Sequence, residues 1–152
     1  MEVFRLSKAA FAHTLSGKGA AIRGARWNSI GVEIIYTAAN RSLAMAEVAV
    51  HLSLATLPDD YMMTTISIPD DIAFQKVIDE DLPSEWNAHP PMRATQSIGD
   101  RFVATGKHCV LRVPSAVTRG DSNYLINPHH ADFRRIKIID VTPFPFDRRI
   151  FR

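Results

Sequence analysis

Apolar positions along the 152-residue chain come in short runs broken by polar turns. Four runs are β-branched or aromatic and bounded by turn-forming residues, which predicts strands over residues 32–37, 64–68, 108–113 and 135–141. Two longer stretches carry helical character. Residues 41–54 are rich in Ala, Leu and Met, follow Asn40 as a side-chain cap, and precede Pro58. Residues 92–105 run up to Gly106, which suits the left-handed residue that closes a helix. These elements do not alternate as regular βαβ units. An α+β fold follows, with short mixed sheets and flanking helices. No repeat, low-complexity tract or Gly/Ser-rich linker divides the sequence, so one domain over residues 1–152 is expected.

Composition supports a folded chain: 46% hydrophobic and 22% charged residues lie in the ordinary globular range, and this length buries a sizeable core. The net charge of +2 is spread along the chain and forms no basic stripe, so direct nucleic-acid binding is not expected. The opening residues MEVFRLSKAAFAHTLSG lack the apolar core of a signal peptide, and no window reaches the ~18–20 apolar residues of a membrane helix. With a single cysteine, Cys109, the expected location is the cytoplasm, with no membrane partner.

Candidate chemistry concentrates between Arg23 and Leu52. Arg26 lies in a loop between Gly24 and Gly31, where a guanidinium can hold a pyrophosphate with two parallel hydrogen bonds. Glu47 interrupts a stretch rich in Ala, Met and Val, so its carboxylate is either an exposed rim residue or is buried, paired or used. His51 follows by four residues and would share its helix face, while Met45, Val48 and Leu52 form a core stripe. Trp27 and Tyr36 flank the segment and offer aromatic faces to a planar ring, or pack in the core.

Other motifs are weaker. Dinucleotide and phosphate glycine loops are missing from the sequence, as are HExxH and any Cys/His cluster, so no metal is expected. His108 and Cys109 would point to opposite faces of a strand, which reads Cys109 as structural. Asp79, Glu80 and Asp81 read as a solvated loop, and His129-His130 as a turn.

Taken in order, Arg26-Trp27-Asn28, Gly31, Tyr36, Glu47-Val48 and His51-Leu52 resemble the RES domain. The resemblance continues through Ile98-Gly99-Asp100, the run from Leu111 to Val117, and the run from Asn123 to Pro128. It implies a fold similar to ADP-ribosyltransferases and a toxin that consumes NAD as its substrate. It also implies a cognate antitoxin with an Xre-like helix-turn-helix region. The family's arginine, glutamate and serine map onto Arg26, Glu47 and Ser115, with Ser122 as the rival serine.

On this mapping Glu47 stabilises the ribosyl cation, Arg26 clamps the pyrophosphate, and Tyr36 with Trp27 positions the nicotinamide. Arg5, Asn28, His51, Ser115 and Asn123 complete the expected ligand contacts. Ser115 lacks a nucleophile-elbow sequence and is read as a binding residue. The acceptor is left open among water, phosphate and a protein side chain, which keeps mono-ADP-ribosylation as the close alternative to NAD degradation. A non-catalytic nucleotide-binding or protein-interaction module is the alternative from another class. Apolar surface leaves room for a homodimer.

Overall fold

Strand β1 (Glu2–Lys8) opens the chain, although the hydrophobic pattern does not predict it, because half-buried Arg5 interrupts the buried Val3, Phe4 and Leu6. A computed structural model describes residues 1–151. Helix α1 (Lys18–Arg23) is followed by a long loop and strand β2 (Ile35–Ala38), then by helix α2 (Arg41–Ala49) and strand β3 (Tyr61–Ser67). The second half contains β4 (Phe74–Lys76), α3 (Arg93–Thr105), β5 (Val110–Pro114), β6 (Ser122–Ile126) and β7 (Lys137–Pro143).

Seven strands form one mixed sheet in the order β4-β5-β6-β2-β1-β3-β7, with β4 and β5 parallel and every other pair antiparallel. The four expected strands appear as β2, β3, β5 and β7 with shifted ends. β4 and β6 were not expected. The β6 sequence SNYLI begins with two polar residues, which conceals the buried Tyr124, Leu125 and Ile126 behind them.

Both expected helices form, but α2 ends at Ala49 instead of continuing to residue 54. β-Branched Val48 and Val50 weaken its last turn. The N–H groups of His51 and Leu52 then bond three residues back, to Val48 and Ala49, and Ser53 starts a separate short turn with Thr56. Helix α3 ends as expected, with Gly106 left-handed at φ 60°.

Strand alternation sorts the core between the two sheet faces. Val110, Tyr124, Ile126 and Ile35 point to one face. Leu111, Val113 and Leu125 point to the other, where Phe102 of α3 covers them. On that second face α2 lays Leu43 and Ala44 over Phe4, Leu6 and Ala38.

Between the two helices the sheet is nearly split. β1 pairs with β3 over seven residues and β2 pairs with β6 over four, yet β1 and β2 meet only at Phe4 and Ala38. Beyond that pair the strands diverge, and Arg5 and Leu6 no longer pair with Thr37 and Tyr36. The opening wedge is the cleft described next. Among the described residues no helix is long and apolar enough to cross a membrane.

Candidate active site

The wedge between β1 and β2 encloses about 210 Å³ and is open to solvent. Phe4 and Leu6 from β1, Ala38 from β2, and Ala44 and Val48 from α2 give it apolar walls. Its polar groups are few: Arg5, Arg26, Tyr36, Thr37, Glu47 and Asn123. Sparse polar groups converging in an apolar recess are the usual composition of a small-molecule site.

Glu47 reaches the cleft because α2 is fixed at its start. The Asn40 side-chain oxygen Oδ1 accepts the Leu43 N–H at 2.8 Å, and its Nδ2 donates to the Asp121 carboxylate at 3.1 and 3.2 Å. Leu43 and Ala44 are thereby seated on the sheet, and one turn later Glu47 lies beside Val48 against the opening. Burial pushes its carboxyl above the ordinary glutamate pKa, while the hydrogen bond from Ser115 and the charge of Arg26 oppose that shift. The carboxylate is thus deprived of water and held by specific donors.

Ser115 differs from its expected role. Its hydroxyl donates to Glu47 Oε1 at 3.2 Å and accepts the N–H groups of Val117 and Thr118 at 3.1 and 2.9 Å. That uses the full capacity of a hydroxyl, and the residue is 5% exposed. It orients the Glu47 carboxylate from behind the cleft wall. Ser122 sits on β6, where it accepts from Arg112 Nε at 3.2 Å and does not line the cleft. Ser115→Ala leaves two turn N–H groups without an acceptor, and we expect about 1–3 kcal/mol of lost stability, read by urea unfolding.

The loop carrying Arg26 is held from two sides. Asn28 is completely buried; its amide donates to the carbonyls of Ala20, Ser29 and Val32, and its oxygen accepts the Tyr36 hydroxyl at 2.6 Å. The same hydroxyl accepts the Trp27 N–H at 3.1 Å. Asn28 therefore braces the loop from a fully buried position and, against expectation, does not line the cleft. Burial drives the Tyr36 phenol well above its ordinary pKa, so its hydroxyl stays protonated between Asn28 and Trp27. Trp27 lines the cleft but is 3% exposed and packed among core residues and Trp86, so it offers no open stacking platform.

From the other side, α3 grips this loop with one face. Gln96 Nε2 donates to the Ala25 carbonyl at 3.1 Å, Gly99 lies directly against Trp27, and the Asp100 carboxylate accepts from Ser29 N–H and Oγ. The spacing of 96, 99 and 100 is that of neighbours on one helix face, a signal present in the sequence. Arg26 itself donates from Nη1 to the carbonyls of Trp86 and Ala88, both at 2.9 Å.

Of the expected contacts, then, Arg5, Arg26, Trp27, Tyr36, Glu47 and Asn123 meet in one cleft. Arg5 also donates to the Thr14 carbonyl at 3.2 Å. His51 does not join them: α2 ends before it, and it stands exposed in the following turn. Cys109 is buried away from the cleft, and burial pushes its thiol up to about 11, which leaves it unreactive. His130 caps the short helix that follows it by accepting the Asp132 N–H. Among the described residues no cluster of His, Cys, Asp and Glu could hold a metal ion.

Fold and site together define a small α+β domain whose nearly divided sheet opens a charged cleft. The chain belongs to the RES-domain family, whose sequence profile matches residues 2–147. It is 37% identical over 143 residues to the "Prs ADP-ribosylating toxin" of Sphingobium sp. (strain YBL2), covering 93% of this chain and 89% of that one. It is 34% identical over 155 residues to the "Toxin Res" of Photorhabdus laumondii, covering 100% and 98%. The fold is similar to that in the crystal structure of the M. tuberculosis MbcT–MbcA toxin–antitoxin complex. That likeness has a TM-score of 0.76 at 18% identity and covers 99% of this chain and 86% of the other.

Proposed function

We propose that the cleft binds NAD and breaks its nicotinamide–ribose bond, and that the protein is the toxin of a toxin–antitoxin pair acting in the cytoplasm. The observation that carries this reading is Glu47, a carboxylate held in an apolar wall by the Ser115 hydroxyl, with Asn123 and Arg26 lining the same cleft. The names borne by the Sphingobium and Photorhabdus relatives agree with it.

The reaction needs few groups. As the bond from C1′ to the nicotinamide nitrogen breaks, its electron pair neutralises the pyridinium, and positive charge builds on the ribose. A desolvated carboxylate beside C1′ stabilises that charge far more than water would. Glu47 serves this purpose, and Arg26 with Arg5 holds the pyrophosphate. A recess of about 210 Å³ takes the nicotinamide riboside end, leaving the rest of the dinucleotide along its mouth. An acceptor oxygen then bonds to C1′ and releases its proton to solvent.

Water or phosphate as acceptor degrades NAD. A protein side chain as acceptor is the second reading, favoured by the name of the Sphingobium relative. An antitoxin with an Xre-like helix-turn-helix region is the proposed inhibitory partner.

Intracellular NAD and free nicotinamide after brief induction separate these readings. Rapid NAD loss that requires Glu47 supports degradation, whereas toxicity with NAD nearly constant supports modification of a particular protein. An inert wild type that only binds nucleotide contradicts both.

The pH profile gives a further expected result. Only ionised Glu47 stabilises the cation, and its pKa is raised, so kcat/KM for nicotinamide release falls with acid at a midpoint above the ordinary ~4.3. Removing the Ser115 donor raises that midpoint further in Ser115→Ala, because the bond it supplies favours the charged form.

A further inference from the structure

We infer that the segment around Trp86, far from the cleft in sequence, positions the Arg26 guanidinium for a diphosphate, which makes Trp86 a positioning residue of the site. This rests on the reading of Arg26 as the pyrophosphate clamp.

Two consecutive turns shape the segment: Trp86 N–H bonds back to Pro83 O at 3.2 Å, and Ala88 N–H to Glu85 O at 2.9 Å, with Glu85 left-handed at φ 63°. Between them the carbonyls of Trp86 and Ala88 converge on one atom, Arg26 Nη1, each at 2.9 Å. Both Nη1 protons are thus committed. The Nε and Nη2 donors make no hydrogen bond among the described residues, and together they form the guanidinium edge that grips an anion with two parallel bonds. Arg26 lines the cleft, and with Nη1 turned to the Trp86 segment the Nε–Nη2 edge is the one left for a ligand there.

What holds the two carbonyls in place is the Trp86 ring. It packs on Trp27, the residue next to Arg26, with ring centroids 5.9 Å apart and planes at 43°. One aromatic contact therefore fixes both the loop that presents Arg26 and the segment that restrains it. Without that restraint the long side chain regains rotamer freedom, which must be lost again when the anion binds.

The consequence is specific to binding. A pyrophosphate does not change charge as the nicotinamide leaves, so a clamp on it acts equally on ground and transition states and shows in KM instead of kcat. The test measures steady-state nicotinamide release from NAD by purified wild type, Trp86→Ala, Trp86→Phe, Arg26→Ala and the double variant Trp86→Ala/Arg26→Ala. Trp86→Leu replaces the alanine variant if the latter does not fold.

We expect Trp86→Ala to raise KM about tenfold with kcat within about twofold, and Trp86→Phe to restore most of the difference. Added to Arg26→Ala, the Trp86 change should have less than about a twofold further effect, because its route of action is already gone. An equal KM increase with and without Arg26 would mean that Trp86 merely supports the fold, and would overturn the inference alone. An unchanged KM in Arg26→Ala would overturn the clamp reading together with it.

Discussion

Glu47→Gln should cut the rate of NAD consumption by at least about a hundredfold while leaving the protein as stable as before or slightly more so. Glutamine keeps the shape and the oxygen that accepts the Ser115 hydroxyl, so the wall of the cleft survives. What disappears is the negative charge. Losing one preorganised electrostatic group in a water-poor site costs about 10²–10³ in rate, and more where it faces a full ribosyl cation.

Stability should move the other way. Burial raises the Glu47 pKa, so the folded state holds the proton more readily than the unfolded chain. Its contribution is favourable below the unfolded pKa and is lost as pH rises through the folded one. At neutral pH the ionised group is a net cost that the neutral amide avoids. Discounted for the part of the group that solvent still screens, we expect a rise in Tm of about 1–3 °C at pH 7 that vanishes below pH ~4. Activity lost together with a collapse in Tm would show that Glu47 holds the fold instead.

The second large effect lies outside the cleft. Gly99→Ala should lower stability by about 3 kcal/mol, or roughly 6–12 °C in Tm, although alanine is the better helix former by about 1 kcal/mol. A Cβ at Gly99 would overlap the Trp27 carbonyl oxygen and stand 2.7 Å from its carbon. Both atoms are backbone, so the clash cannot be relieved by a side-chain rotation. Helix α3 would have to lift from the 25–29 loop, straining the bonds from Gln96 to Ala25 and from Ser29 to Asp100. Because that loop carries Arg26, the affinity for NAD should fall with stability. A gain in Tm, as helix propensity alone predicts, would refute the close packing of α3 on the loop.

The contrast between Gly99 and Glu47 shows what the sequence makes legible. Glu47 stands out locally, since a carboxylate inside an apolar helical stretch has to be accounted for, and it does line the cleft. Asn40 and Gly106 mark helix boundaries by local chemistry, and both act as read. Contacts distant along the chain are another matter. The grip of α3 on residues 25–29 joins groups about seventy positions apart, and Arg26 meets Trp86 across sixty.

His51 misled because four-residue spacing only means a shared face while the helix persists, and this helix ends two residues earlier. Asn28 and Ser115 differ again: both lie close to the candidate ligand groups, and the structure engages the Asn28 amide and the Ser115 hydroxyl with protein partners that no local pattern reveals. The cleft itself was invisible. It depends on β1 leaving β2 after one residue pair, and β1 was not recognisable as a strand.

The most direct test of the account is a structure of the Glu47→Gln variant with intact NAD. The nicotinamide riboside should lie between β1 and β2, with C1′ against residue 47 and the pyrophosphate on the free edge of Arg26. NAD bound elsewhere on the domain, with the cleft empty, would contradict it.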